Sequence, residues 1–432
     1  RKEPPQKPGR FRSVMKLYID AIGKVVNSTI ELNSLTLIAG ENDTGKSTIG
    51  KVLFAIVQAF SKFPLVVQRE NQVKLRRDLE QLYIELRRHI DLGENNELAK
   101  VFSFFRSEAS LSKDIHVALL RNLAVDVLKK NELTPINRHR VMAALKNFDD
   151  ELPDGEERVI TKHLLRALKA EFAGQIKKKN SHHARIEISD GATKILEVSL
   201  EDNRIVDFKE SGPLGLRDAT FVDGPSIIQY FPGVSHLNSL GENNRSRRWT
   251  IPYHVVDLGN KLQGVKETID LLTTDKSVNL FNVFNGGMRY DDDHSGFVLS
   301  KDSFEFPANN VASGIKAIAV VDMLQRGEFL GSDTLLVLDE PETNLHPTWQ
   351  VQYARAICEL VKTGTKILVT THSPYMVEAI RTFAPAELGP KFYFSHHTEK
   401  GSVEYKDTDG DITEILQALA QPMFDLAGGD VE

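Results

Sequence analysis

The chain has 432 residues, 41% of them hydrophobic and 26% charged, with a net charge of −6 and one cysteine, Cys358; this leaves room for about two or three domains, or one large domain with an insertion. The negative balance excludes a global attraction to nucleic acid, so any such contact must come from a local patch. A lone cysteine excludes an internal disulfide and argues against a structural cysteine zinc site, which points to a reducing, cytoplasmic setting, and no apolar run approaches the ~18–20 residues that span a bilayer, so no membrane partner is expected.

Residues 1–14, RKEPPQKPGRFRSV, are basic and proline-rich. They read as a flexible tail or an added remnant, with Met15 as a candidate natural start. From Met15, MKLYIDAIGKVVNSTIELNSLTLIAG predicts two strands and then a third, short and apolar, ending at Gly40. The next residues, GENDTGKST, fit Gly-x-x-x-x-Gly-Lys-Ser with Gly40, Gly45, Lys46 and Ser47 in the fixed places. After them Ile49, Val52, Leu53, Ile56, Val57 and Phe60 recur at helical spacing. A strand feeding a glycine-rich turn that opens a helix is an anion cradle, because backbone N–H groups and the helix dipole converge on it. Lys46 is expected to neutralise the β- and γ-phosphates of a nucleotide, and Ser47 to ligate Mg²⁺.

From about Leu65 to Ile176 the pattern is helical. Leu75, Leu79, Leu82, Leu86 and Ile90 share one face of LRRDLEQLYIELRRHI, which suits a helix packed on its own domain or a partner surface. Strand character returns in RIEISDGATKILEVSLEDNRIVDF, a pair of strands with turns at Asp190-Gly191 and Asp202-Asn203, and in ATFVDGPSIIQYF, a strand ending at Asp223-Gly224-Pro225. Asn285-Gly286-Gly287 reads as a turn. The last third alternates helix, strand, helix, strand, helix, the rhythm of a parallel sheet. NVASGIKAIAVVDML opens at Ser313-Gly314, and Ile315, Ile318, Ala319, Asp322 and Met323 mark its turns; a Ser-Gly helix start is either an ordinary N-cap or an anion site. Leu335 to Leu338 form a fully apolar strand that delivers Asp339 and Glu340 to a sheet edge. Asp339 is placed to hold Mg²⁺ and Glu340 to polarise a water against the γ-phosphate. A second apolar strand, Ile367-Leu368-Val369, ends in TTHSP, where His372 is positioned to contact the γ-phosphate.

The order of these motifs resembles the ABC-type ATPase heads. More narrowly, ASGIKAI, LDEPETNLHPTWQ and THSPYMVEAI resemble bacterial ABC-like AAA ATPases related to the OLD (overcoming lysogenization defect) family and to the SMC and DNA-repair ATPases. The resemblance covers residues 15–60 and roughly 181–400. It implies an α/β fold, a P-loop ATPase head whose mixed sheet is flanked by helices, carrying a helical insertion over 61–180. Residues 15–60 would form the N-terminal lobe with the P-loop, 181–300 the remainder of that lobe and a helical segment, and 301–432 the C-terminal lobe. It implies ATP and Mg²⁺ as cofactors and a head-to-tail pair of protomers, with ATP between the P-loop of one and the Ser-Gly helix of the other. Carried over by position, Gly40, Glu41, Asn42, Asp43, Thr44, Gly45, Lys46, Ser47 and Thr48 are Walker A, and Asp339 and Glu340 are Walker B. His372 is the switch histidine, Asn344 to Pro347 the D-loop, and Ser313 and Gly314 the signature. Members of this group often serve as ATPase subunits of anti-phage defence systems beside a nuclease or other toxic effector.

Two departures stand out. The signature is reduced to Ala312-Ser313-Gly314-Ile315-Lys316, and the Q-loop has three candidates, Gln229, Asp223 and Ser226. Two other functions fit the same core: a DNA-repair or recombination ATPase acting on DNA, and a self-contained nuclease using the C-terminal acids. For the second, Asp407-x-Asp409 lies in a glycine-containing stretch that reads as a solvated turn. The adjacent His182 and His183 cannot easily share a metal on a strand. Lys177 to Arg185 and Arg245 to Trp249 are the local basic runs open to nucleic acid, with Trp249 able to stack on a base.

Overall fold

The computed structural model describes residues 14–63, 134–149, 156–179, 181–231, 251–265, 286–301, 303–398 and 401–428, with scattered helical positions between 80 and 129 and at 233–234. The chain divides into two compact units, Arg1–Ser61 with His163–Glu432, and Lys62–Lys162.

In the larger unit the first strands are β1 (Met15–Asp20), β2 (Ser28–Leu32) and β3 (Leu35–Ala39), followed by helix α1 (Lys46–Ser61). After the smaller unit come β4 (His183–Asp190), β5 (Thr193–Glu201), β6 (Arg204–Glu210) and β7 (Asp218–Val222). The stretch read as a pair of strands is therefore three, because each of its two predicted turns reverses the chain. Strands β1, β2 and β4 to β6 form one antiparallel sheet, in the order β2-β1-β4-β5-β6. The remaining strands are β8 (Gly287–Asp291), β9 (Gly296–Lys301), β10 (Phe304–Pro307), β11 (Thr334–Asp339), β12 (Lys366–Thr371), β13 (Lys391–His397) and β14 (Val403–Asp407). Strands β8 to β10 make a small antiparallel sheet, whose first strand starts at Gly287, inside the predicted turn.

The third sheet positions the site. Its order is β14-β13-β3-β12-β11-β7, with β13, β3, β12, β11 and β7 parallel and β14 antiparallel at the edge. Parallel central strands are covered on both faces, which is why β3 and β11 read as unbroken apolar runs rather than as alternating ones. Side chains of β11 split between two cores. Leu335 and Val337 join α1 and the antiparallel sheet, whereas Leu336 and Leu338 join the helices on the opposite face. Those helices include α4 (Tyr253–Gln263), α5 (Ser313–Arg326), α6 (Pro347–Val361) and α7 (Pro374–Phe383). Cys358 lies buried in α6, and burial pushes its thiol up to about 12, so it packs as a small apolar side chain. Helix α8 (Thr413–Gly428) ends the described chain.

In the smaller unit, helix α2 (Pro135–Asp149) is described, and helix α3 (Glu156–Glu171) begins there. Leu82 and Leu86 are buried, whereas Leu75, Leu79 and Ile90 lie outside the described residues. The smaller unit ends at Lys162, earlier than the predicted limit of 180. The reason is that Leu164, Leu168 and Ile176 pack into the same core as α1 and β1. The predicted N- and C-terminal lobes share one sheet, since β3 pairs directly with β12 and β13. No helix among the described residues is long and apolar enough to cross a membrane.

Candidate nucleotide-binding site

The site is assembled by strand register. Ala39 pairs with Thr371, Asp339 with Thr370, and Val222 with Leu338. The P-loop, His372, Glu340 and Asp223 therefore all leave the same carboxyl edge of the sheet, where ligands bind in open α/β sheets.

Lys46 is the first residue of α1 and only 3% exposed, and its Nζ donates to the carbonyls of Gly40 (3.0 Å) and Glu41 (2.7 Å). The turn before it needs left-handed backbone at Gly45 (φ 84°), which glycine adopts without Cβ strain. Thr44 ties the loop to itself through Glu41 O at 2.8 Å, and Tyr405 of β14 donates to Thr44 O at 3.0 Å. Asp43 at the loop's tip pairs with Lys24. The cradle is thus held from three sides before any ligand arrives.

Asp339 closes β11. Burial raises its carboxyl, while hydrogen bonding from the Thr370 and Ser47 hydroxyls pulls the other way. A divalent cation beside Asp339 and Ser47 would offset that burial cost, so this donor set fits Mg²⁺. Glu340 takes left-handed backbone (φ 48°) and is fixed there by its N–H, which donates to Thr370 O at 3.0 Å. Its Oε1 lies 3.4 Å from Lys46 Nζ and 3.4 Å from His372 Nδ1. His372, then burial in opposition, then Lys46 set its acidity, and the net effect holds the Glu340 carboxyl below its ordinary value. His372 is raised in turn, first by Glu340.

One residue of the site escaped the sequence reading. Glu342 is 4% exposed, and its Oε1 accepts from the Thr371 hydroxyl (2.6 Å) and the His372 backbone N–H (2.9 Å), while its Oε2 has no hydrogen-bond partner. It fastens the end of β12 that carries His372. Two residues after Glu340 in an acidic turn, it carried no signal except that a glutamate there is unusual if buried.

Ser313 and Gly314 begin α5, but Ala312 occupies the cap and no side chain caps the helix. The ordinary N-cap reading of Ser313 therefore does not hold, and the first-turn N–H groups lack a side-chain acceptor at the cap. Gly314 runs close to Leu345, where a Cβ would fall 2.6 Å from its Cδ2, so the start of α5 and the 344–347 segment share one surface. That segment is linked to the His372 turn: Gln350 donates to Leu345 O (3.0 Å) and accepts from the Ser373 hydroxyl (2.6 Å).

Among the Q-loop candidates, Gln229 is tied to α5, accepting from Lys316 at 3.2 Å. Ser226 is exposed. Asp223 alone stands at the end of β7, the strand in register with β11. Away from the site, Asp407 is the half-buried last residue of β14, where it pairs with Lys391 at 2.6 Å and accepts the N–H of Asp409 at 2.9 Å, so only Asp409 lies in the predicted solvated turn. His183 pairs with Glu201 at 3.0 Å. In the first basic run, Lys177 and Lys178 are hydrogen-bonded to Ser181 and Ser402, and Arg185 pairs with Glu187 and Glu197. Arg245 to Trp249 lie outside the described residues. No group of three or more His, Cys, Asp or Glu side chains that could hold a metal ion occurs among the described residues.

Residues 254–377 match the AAA ATPase domain family. The matched segment contains α5, Asp339, Glu340 and His372, and the P-loop reaches it through the pairing of β3 with β12. The match supports an ATP-binding ATPase of the AAA class. Among solved structures, the chain is similar to the SMC head domain from Thermotoga maritima at 13% identity and a TM-score of 0.41, covering 92% of this chain and 99% of that one. It is also similar to an SMC head bound to the C-terminal winged-helix domain of ScpA (11%, TM-score 0.39, 91% and 97% covered). A third is an SMC head with an extended coiled coil bound to the C-terminal domain of ScpA, derived from Pyrococcus furiosus (10%, TM-score 0.39, 95% and 99% covered). No curated protein matches the chain.

Proposed function

We propose that the chain binds and hydrolyses ATP with Mg²⁺, and that nucleotide closes a head-to-tail pair of copies that controls a partner effector. One observation carries the hydrolytic part: Lys46 Nζ and His372 Nδ1 each stand 3.4 Å from the same atom, Glu340 Oε1. A cation, a carboxylate and an imidazole thus converge at a P-loop.

Ser47 and Asp339 would hold Mg²⁺, which supplies charge neutralisation across the β- and γ-phosphates. Lys46 exchanges the carbonyls of Gly40 and Glu41 for phosphate oxygens. Glu340, kept ionised by its neighbours, takes the proton of the attacking water. His372, anchored through Glu342, donates toward the γ-phosphate. The uncapped start of α5 beside the 344–347 segment offers N–H groups to the γ-phosphate held by a second copy.

The reading extends to a cytoplasmic subunit of a bacterial anti-phage defence complex, whose effector, such as a nuclease, is encoded nearby. The pairing of Asp407 with Lys391 favours an external effector over a nuclease site within the described residues. The test is nucleotide affinity and phosphate release for wild type and Lys46→Ala. Loss of both in the variant is expected, and wild-type values in the variant would remove the P-loop assignment. Light scattering with ATP reports the pairing. Purified chain with ATP and Mg²⁺ or Mn²⁺ should leave DNA and RNA uncut, and cleavage by the lone protein would overturn the effector reading.

A further inference from the structure

A chain of three ionisable side chains, two of them buried, ends at the nucleotide site. Glu171 is the last residue of α3, the helix that begins in the smaller unit. Its Oε2 accepts from His254 Nδ1 at 2.5 Å, and its Oε1 accepts from the His254 backbone N–H at 2.9 Å, so both oxygens are spent on one residue. On the far side of the ring, His254 Nε2 donates to Asp223 Oδ2 at 3.2 Å. His254 is 2% exposed, and the rings of Phe221 on β7 (4.7 Å between centroids) and Phe54 on α1 (6.2 Å) enclose it. Burial by itself would lower this imidazole, but the two carboxylates outweigh it and raise it to about 9. The pairing favours the protonated ring, which sits between two carboxyl groups.

That arrangement is costly for a merely structural contact. A cation at the start of a helix opposes the dipole of α4, and a buried ion pair seldom stabilises more than a packed apolar group. What it does achieve is orientation. Asp223 is 48% exposed and follows Val222, which pairs with Leu338, so it stands across from Asp339 at the sheet edge. Burial works against the Asp223 carboxylate, but the hydrogen bond and charge of His254 outweigh it and hold the carboxyl below its ordinary value, whereas burial raises Asp339. With Oδ2 engaged by His254, the Asp223 carboxyl is held in one orientation at that edge.

We propose that His254 and Glu171 are positioning residues of the nucleotide site, holding Asp223 as a second carboxylate beside Asp339 where Mg·ATP binds. The proposal rests on the ATP reading above and adds residues that reading does not use. It also makes Glu171, at the end of α3 and within the larger unit, part of the site's supporting shell.

The experiment compares wild type, Asp223→Asn, Glu171→Gln and the double variant. The first readout is the affinity of a fluorescent ATP analogue in Mg²⁺ and in EDTA, and the second is steady-state phosphate release. Both single variants should lose about tenfold in the Mg²⁺-dependent gain in affinity or in kcat, with affinity in EDTA unchanged. The double variant should lose no more than Asp223→Asn alone, because Glu171 acts only through Asp223. If Glu171→Gln weakens the protein equally in the Asp223→Asn background, Glu171 is structural and the proposal fails. Asp223 is half exposed, so its variant keeps the test sound if Glu171→Gln unfolds; wild-type Mg²⁺ dependence in Asp223→Asn also overturns the proposal. Failure of the ATP reading looks different: wild type itself would then bind no nucleotide in either buffer.

Discussion

Replacing Glu342 asks how firmly the His372 turn must be held. Glu342→Ala strands two donors that now share Glu342 Oε1, the Thr371 hydroxyl at 2.6 Å and the His372 N–H at 2.9 Å. At roughly 1.5 kcal/mol for each such bond, the loss is about 3 kcal/mol. Glu342→Gln keeps an oxygen for both donors but puts an NH₂ where Oε2 has no partner, which costs about 1 kcal/mol. The order of stability is therefore wild type, Gln, Ala. Burial raises the Glu342 carboxyl above its ordinary value of 4.5. Its contribution is thus fully present below that value and is lost as pH rises through the folded one, so the deficit of the Gln variant should shrink with rising pH. With the turn loosened, kcat should fall about tenfold in Glu342→Ala while ATP affinity holds. Urea denaturation at several pH values and phosphate release measure both effects. Equal destabilisation by Ala and Gln would refute the bookkeeping, and unchanged kcat in Glu342→Ala would show that His372 does not need this anchor.

Glu340→Gln should keep ATP binding but slow hydrolysis by about 10²–10⁴, the usual worth of a general base, and should accumulate the ATP-bound pair in light scattering; normal turnover would remove Glu340 as the base. Ser313→Arg should abolish turnover while leaving nucleotide affinity intact, and mixing it with Lys46→Ala should restore part of the activity through one intact composite site; no recovery at any ratio would count against a shared site. The raised His254 predicts a loss of stability at alkaline pH. Its contribution is fully present below 6.5 and is lost as pH rises through about 9, which amounts to about 3 kcal/mol. Denaturation midpoints from pH 6 to 10 should show the fall, and a flat profile would mean that the imidazole is not held as a cation.

The chemistry of the site was legible wherever it is written in adjacent residues. Gly40 to Thr48 form strand end, turn and helix start in one stretch, and the apolar run of β11 announced a buried strand carrying Asp339 and Glu340 to an edge. Ser313 was only half legible. Its neighbours predicted the helix, but the cap fell on Ala312, because a boundary shifts by one residue without altering the apolar spacing. The limit of the smaller unit was misplaced for a related reason: 163–176 has helical spacing like the segment before it, and periodicity does not say which core a helix joins.

By itself, the sequence determined a P-loop on a strand-turn-helix, two acidic residues and a histidine at the ends of apolar strands, and a parallel sheet to carry them. Only the tertiary structure decided that β12 lies between β3 and β11. That order brings His372 and Lys46 to one oxygen of Glu340 and leaves Glu342 to anchor the turn. It also decided that Glu171, His254 and Asp223, separated by 83 and 31 residues, form one hydrogen-bonded chain. Local spacing fixes which face of an element is buried, because that depends on neighbours three or four residues away. Which strand comes next, and which charged groups meet across it, depends on long-range packing that no local pattern encodes.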